Sequence, residues 1–393
     1  MDVINPATNE RIETYEDDSE EEIEVALSRA MDAYEEWRDV PMRERQELLA
    51  NAADVLRDRK HEWAEIMSRE MGKPITQAIG EVEKCAWGCE HYAEYASVYL
   101  ADEYHPSPPG TEVKTRYDPL GPVLAVMPWN FPFWQVVRFA APYLTAGNVG
   151  LLKHASNVPG SAIALEEVFR EAGYPEGVFQ SLLIPSDLVD DVLADDRVRA
   201  ATLTGSGPAG RAVAATAGEH LKKTVLELGG SDPFVVLDDA DLDAAAQTGA
   251  WARNQNGGQS CIAAKRFIVH DAVYDEFVQK LVSETESLVV GDPMDEETQV
   301  GPQARQGLLE ELHRQVEASV EAGATVLTGG EPMDREGAYY PPTLLTDVPE
   351  ACPADSEELF GPVGSVFRVG SDEEAIEKAN DTEFGLGASI WSE

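Results

Sequence analysis

A cysteine thiol, a glutamate carboxylate and an asparagine amide stand at positions 261, 227 and 130 of this chain, each in a segment rich in glycine, proline or aromatic residues. Cys261 lies in Gly257-Gly258-Gln259-Ser260-Cys261-Ile262, Glu227 in Leu226-Glu227-Leu228-Gly229-Gly230, and Asn130 in Pro128-Trp129-Asn130-Phe131-Pro132. These three groups are a minimal set for covalent chemistry at a carbonyl. A thiolate attacks carbon, an amide N–H holds the oxyanion, and a carboxylate activates water.

Each group also has a plainer reading. A free cysteine is most often a small buried hydrophobe. Around Cys261, however, Asn256, Gly257, Gly258, Gln259 and Ser260 spell a polar loop, and Lys265 and Arg266 follow, where positive charge favours a thiolate. Glu227 follows Thr224-Val225-Leu226, so it is expected part-buried at a strand end, where desolvation lifts a carboxyl towards the range of a general base. Cys85, Cys89 and Cys352 read as structural. Cys85 and Cys89 share a helix face but His91 does not, so no metal site is expected.

These groups need a scaffold, and the hydrophobic rhythm describes one. From Glu20 to about Tyr99 apolar residues recur at three and four, with Ser19 and Glu22 spelling a capping box. Residues 101–118 break the pattern with Pro106, Pro108, Pro109 and Gly110, and predict an extended arm or hairpin. From Gly121 strands and helices alternate. Strands are expected at Val123–Met127, Val149–Lys153, Phe179–Ile184 and Ala201–Leu203, and helices at Ser161–Ala172 and Asp187–Ala194. This is the signature of α/β architecture with a parallel sheet, whose ligands gather at the carboxyl ends of the strands. Pro128, Trp129, Asn130, Lys153, Gly205 and Ser206 all fall there.

Gly205-Ser206-Gly207-Pro208-Ala209-Gly210 follows a strand and opens a helix, so its N–H groups suit a pyrophosphate. Its spacing is not GxGxxG, and no Gly-Lys-Ser/Thr follows, which excludes a P-loop NTPase. After Gly229-Gly230 a second series begins, with strands at Phe234–Leu237, Arg266–Val269 and Thr325–Thr328 and helices at Ala240–Asn254, Ala272–Leu288 and Gln303–Ala322. The division expected is residues 1–100 with 119–229 as one domain, 101–118 as a bridging arm, and 230–393 as the other. Glu227 and Cys261 are then expected to face a cleft between the domains.

Composition bounds the rest. At 393 residues the chain exceeds one ordinary core. With 73 acidic and 30 basic residues the net charge is −43, which excludes a nucleic-acid binder. Recurrent apolar runs argue against disorder. Lysine is scarce, ten against twenty arginines, and an acidic shell of this kind suits a cytoplasm with molar salt, where screening removes self-repulsion. A halophilic, cytoplasmic enzyme is the expectation. Four cysteines make no disulfide framework, and the N-terminus lacks the basic and apolar regions of a signal peptide.

Six motifs in this order resemble the aldehyde dehydrogenase superfamily: Pro128–Pro132, Leu152-Lys153, Thr204-Gly205-Ser206, Glu227–Gly230, Gly258–Cys261 and Glu358-Leu359-Phe360-Gly361-Pro362. The resemblance spans the chain, and Met127–Ser156 and Lys222–Val236 look like the NAD(P)-dependent succinate-semialdehyde dehydrogenase branch. It implies two Rossmann-like parallel-sheet domains with a bridging arm. It also implies roles. Cys261 forms a thiohemiacetal whose oxyanion is held by the Asn130 amide and the Cys261 N–H, and Glu227 activates the water that hydrolyses the thioester. Pro128, Trp129, Lys153, Ser156, Gly205, Ser206, Glu358 and Phe360 bind the cofactor. Lys153 is assigned to the adenosine ribose, Ser206 to the pyrophosphate, Glu358 to the nicotinamide ribose. Where NAD-preferring relatives place a glutamate, this chain has Ser156, which admits a 2′-phosphate; NADP is favoured over NAD.

Arg138, eight residues after Asn130, is implied as the grip on a distal substrate carboxylate. Some relatives add a second arginine six positions before the nucleophile. Here that residue is Gln255, and the nearest arginine is Arg253. Relatives also continue beyond the strand-like Ala388-Ser389-Ile390, so a C-terminally truncated form is expected, whose full-length version is a homo-oligomer. The alternatives are the same chemistry on another small aldehyde, or an inactive NADP-binding fragment.

Overall fold

The computed structural model describes residues 1–393. It contains two compact units. The first comprises residues 1–3, 13–67 and 78–228; the second comprises residues 4–12, 68–77 and 229–393.

In the first unit, four N-terminal helices, α1 Glu20–Trp37, α2 Met42–Asp58, α3 Lys60–Met71 and α4 Ile75–Tyr99, precede a five-stranded sheet, although the end of α3 and the start of α4 group with the second unit. Helix α1 starts with the capping box: the Glu22 N–H donates to Ser19 Oγ, and the Ser19 N–H donates to Glu22 Oε2. The sheet strands are β1 Pro122–Met127, β2 Val149–His154, β3 Phe179–Ser181, β4 Ala200–Thr204 and β5 Lys223–Glu227. Their spatial order is β3-β2-β1-β4-β5, all parallel. The crossovers carry helices α5 Trp134–Thr145, α6 Pro159–Glu171, α7 Val189–Ala194 and α8 Gly207–Glu219. Strands β1 and β2 are almost entirely buried, which is why they read as continuous apolar runs rather than alternating ones. On one face Leu27 and Ala30 of α1 pack with Leu124, Leu151, Leu203 and Val213. Each of these leucine and valine side chains contributes roughly 1.5–3 kcal/mol on burial. Residues 101–118 hold an exposed antiparallel hairpin, Glu103–His105 against Val113–Thr115.

The second unit is built on β6 Asp232–Val236, β7 Ala264–His270, β8 Thr325–Thr328, β9 Thr343–Thr346, β10 Val363–Val369 and β11 Ser389–Trp391, in the order β8-β9-β10-β7-β6-β11. Helices α9 Leu242–Asn254, α10 Tyr274–Glu286, α11 Gln306–Ala322 and α12 Asp372–Asn380 flank it. Two details differ from the sequence reading. The edge strand β8 runs antiparallel to β9, so this sheet is mixed. Residues 4–12 and 68–77 group with this unit, because the Ala338 N–H donates to Pro6 O and the Ile75 N–H to Pro293 O. Such long-range backbone pairing leaves no local trace in sequence. Cys85, Cys89 and Cys352 are buried, whereas Cys261 is partly exposed. No helix is long and apolar enough to cross a membrane.

Candidate active site

The predicted residues divide between the two units. In the first, the parallel register aligns Val126 with Lys153, Val126 with Leu203, and Thr204 with Glu227. The segments that leave this carboxyl edge carry Pro128, Trp129, Asn130, Lys153, Ser156, Gly205, Ser206 and Glu227. They therefore converge on one end of one sheet, where open α/β sheets bind ligands.

The loop from β1 to α5 is held from two sides. The carboxylate of buried Glu81 accepts the N–H groups of Phe133 and Trp134 at 2.9 Å each, satisfying donors that a helix start leaves open. Buried His154 donates from Nε2 to Pro132 O at 2.9 Å, and its Nδ1 accepts the Ala155 N–H. Burial pulls this imidazole down to about 4, so it is neutral and the tautomer is set by its two partners. Asn130, between these anchors, is buried. Neither Glu81 nor His154 carries a local signal in the sequence. Glu81 sits fifty residues upstream on an amphipathic helix, and only the folded chain shows what it caps.

Lys153, the penultimate residue of β2, is almost fully buried, with Nζ 3.5 Å from Ser186 Oγ, and desolvation lowers its pKa. Ser156 is exposed on the following turn. Ser206 is the N-cap of α8, its Oγ accepting the Ala209 N–H at 3.4 Å, with Gly205 before it. These groups fit a dinucleotide phosphate: an ammonium, an exposed hydroxyl, and a helix start whose dipole favours an anion.

Glu227 is the last residue of β5 and is part-exposed, its side chain 40% accessible. Arg138 on α5 lies beside it, Nη1 4.0 Å from Glu227 Oε2 and Nη2 3.4 Å from Thr204 Oγ1. Both line a pocket of about 230 Å³ with Gln135, Tyr143 and Val225.

In the second unit, the segment before Cys261 has an uncommon backbone. Asn256, Gly257 and Gly258 are consecutive left-handed residues, with φ of 56°, 63° and 73°. Asparagine tolerates this region and glycine enters it freely, which explains the residue types. A Cβ on Gly258 would also lie 2.3 Å from the Gly361 carbonyl carbon. The loop is then pinned by buried amides: Gln259 Nε2 donates to Asn256 O at 3.0 Å, its Oε1 accepts the Ala304 N–H at 2.8 Å, and Gln303 Nε2 donates to Gly257 O at 3.0 Å.

Glu358 and Phe360 approach this loop. Glu358 Oε1 lies 3.0 Å from Lys265 Nζ and accepts the Gly230 N–H at 3.1 Å. The glycine pair is required by crowding. A Cβ on Gly229 would meet Glu358 Oε2 at 2.2 Å, and one on Gly230 would meet Cys261 O at 2.6 Å. Phe360 has the Lys265 ammonium 5.9 Å from its ring centre.

The cations around this loop are placed differently from one another. The sequence places Lys265 and Arg266 together as charge beside the thiol, but adjacent strand residues point to opposite faces. Only Lys265 reaches the loop; Arg266 donates to Ser231, Lys378 and Ala379 carbonyls. Arg253 is fully buried and donates from Nη2 to Gly258 O at 2.5 Å and to Gly361 O. Burial pulls its guanidinium down to about 9. Its role is to join two loops, not to meet a substrate.

A five-stranded parallel sheet followed by a second α/β unit with a glycine-cradled cysteine defines a class, and the chain belongs to the aldehyde dehydrogenase family, whose profile matches residues 1–393. A Synechocystis sp. protein named as a probable NADP(+) succinate-semialdehyde dehydrogenase is 53% identical over 389 residues, 99% of this chain and 86% of that protein. The NADP(+) succinate-semialdehyde dehydrogenase of Mycobacterium avium is 52% identical over 394 residues, covering 99% and 83%. The crystal structure of succinic semialdehyde dehydrogenase from Streptococcus pyogenes in complex with NADP+ superposes with a TM-score of 0.97 at 39% identity, covering 100% of this chain and 86% of that one.

Proposed function

We propose that this protein oxidises succinate semialdehyde to succinate with NADP+ as acceptor, through a covalent adduct on Cys261. The observation that carries the reading is the partly exposed Cys261 that follows a left-handed turn, within a chain that matches NADP-dependent succinate-semialdehyde dehydrogenases over almost its whole length.

In this reading Cys261 adds to the aldehyde carbon, forming a thiohemiacetal. The Asn130 amide and the Cys261 N–H hold its oxygen, stabilising charge that develops only in the transition state. The nicotinamide, when bound, accepts the hydride. The thioester left on Cys261 is hydrolysed by a water that gives its proton to Glu227, whose part-exposed carboxylate can be reached by solvent. Lys153, Ser156, Gly205 and Ser206 hold the adenosine and phosphate end, with Pro128 and Trp129 beside them. Glu358 and Phe360 hold the nicotinamide end. The absence of a carboxylate at Ser156 leaves a 2′-phosphate unopposed, which favours NADP over NAD. NADP+ reduction by succinate semialdehyde in molar salt tests the whole assignment; no turnover with intact NADP+ binding refutes it.

Arg138 has two readings. It grips the distal carboxylate of the substrate, or, given its place 4.0 Å from Glu227, it orients the base. Arg138→Leu is expected to raise KM for succinate semialdehyde by roughly 10- to 100-fold while changing propanal oxidation less than about threefold, since a charge-assisted pair contributes a few kcal/mol. Equal damage to both substrates would assign Arg138 to the base instead.

The acidic surface fits a cytoplasm with molar salt, and the assembly proposed is a homo-oligomer. With net charge −43, withdrawing salt lengthens the Debye length from about 3 Å at 1 M to about 30 Å at 0.01 M and restores self-repulsion. Dialysis into dilute buffer is expected to lower the unfolding temperature and activity together, followed by circular dichroism. Unchanged stability below 0.05 M salt would remove the halophilic assignment.

A further inference from the structure

One ammonium group joins the segment that carries Cys261 to the segment that carries Glu358. Lys265 Nζ donates to the carbonyl oxygens of Ser260 at 2.9 Å and Cys261 at 2.8 Å, and lies 3.0 Å from Glu358 Oε1. An ammonium has three N–H donors, and these acceptors use all three. The same carboxylate oxygen takes the Gly230 N–H at 3.1 Å.

The Lys265 side chain is 2% exposed and that of Glu358 20%. Burial pulls the ammonium down to about 8, with the Glu358 charge acting against this. An apolar residue would fill this position of β7 with no charge to desolvate, so packing alone does not account for a lysine. Geometry does. The Ser260 carbonyl lies in the same planar peptide as the Cys261 N–H, so holding that oxygen fixes the direction of that donor. Holding the Cys261 carbonyl fixes the peptide on the other side of the thiol.

We infer that Lys265 is a positioning residue for the proposed reaction, setting the Cys261 N–H and the Glu358 carboxylate as one unit. The inference rests on the reading above, in which Cys261 is the nucleophile and Glu358 a cofactor ligand.

A double-mutant cycle tests it with Lys265→Met, Glu358→Gln and the pair, in molar salt. Three quantities are read: kcat with succinate semialdehyde, the NADP+ dissociation constant by titration, and the rate of Cys261 alkylation by iodoacetamide without cofactor. Lys265→Met is expected to lower kcat about tenfold or more, as loss of a well-aimed oxyanion donor does. It is expected to raise the NADP+ dissociation constant about fivefold in the parent, but less than about twofold when Glu358 is already glutamine, because the two residues act through one contact. The change in alkylation rate persists in both backgrounds, since it runs through the Ser260 and Cys261 carbonyls.

Additive effects on NADP+ affinity, or an unchanged kcat and alkylation rate, would overturn the inference. Should Lys265→Met not fold, Lys265→Gln, which keeps N–H donors without the charge, runs the same cycle. An inactive parent protein refutes the reaction itself. An active parent indistinguishable from the Lys265 variants refutes only the positioning role.

Discussion

Cys261→Ala abolishes NADP+ reduction and leaves NADP+ binding within about twofold of the parent; that is the result expected from the proposed mechanism. Without the thiol no carbon–sulfur bond forms, and the aldehyde carbon never becomes the tetrahedral centre from which hydride leaves. The loss in kcat is expected at about 10⁴-fold or more, which corresponds to some 5.5 kcal/mol of transition-state stabilisation at 1.36 kcal/mol per factor of ten. Alanine removes only a sulfur from a part-exposed position, and Gln259, Gln303 and Arg253 hold the loop through its backbone, so folding should be intact. Following NADPH absorbance beside an NADP+ titration decides it. A variant that retains more than a tenth of the parent rate would exclude Cys261 as the nucleophile.

Glu227→Gln should separate the two halves of the reaction. Acylation produces NADPH before water is needed, so the variant is expected to release about one equivalent of NADPH per site in a rapid burst. It then turns over about 10²–10⁴-fold more slowly than the parent, the range for loss of a general base. The amide occupies the carboxylate's volume and can still lie near Arg138, so the pocket they line should be preserved. Rapid mixing with absorbance detection reads the burst amplitude. Loss of the burst itself would mean that Glu227 is needed to form the adduct, as the base that deprotonates Cys261. An unaltered steady state would mean that another group activates water.

The legible parts of this chain were those written in local pattern. Buried parallel strands show as runs such as Val123–Met127, and the observed strand there is Pro122–Met127. The strand–turn–helix at Gly205 and the capping box at Ser19 are short-range signals, and both appear at those residues. Strand β9, with four residues, and strand β10, interrupted by glycine and serine, carry too little periodicity to stand out. Helix α12 is short and acidic, with one buried residue, so its sequence shows no apolar stripe.

At the site, residue types were readable but their supports were not. Glu81, His154, Gln303 and Arg253 act through contacts made with residues tens of positions away, and each taken alone is an ordinary helix, strand or loop residue. The pairing of Lys265 with Glu358 is of the same kind. The opposite directions of Lys265 and Arg266 follow from strand alternation once the strand is seen to begin at Ala264, two residues before the apolar run shows it.

The distribution of the four thiols gives the protein an internal folding gauge. Three are sequestered and one is accessible, and they are shared between the two units: Cys85 and Cys89 in the first, Cys261 and Cys352 in the second. A native molecule therefore presents a single fast-labelling sulfur, and a fully unfolded one presents four. Intermediate stoichiometry identifies which unit has opened, because labelling at Cys89 reports one and labelling at Cys352 the other. Mass spectrometry of intact protein during gradual salt withdrawal would read that order directly, without dye, tag or substitution.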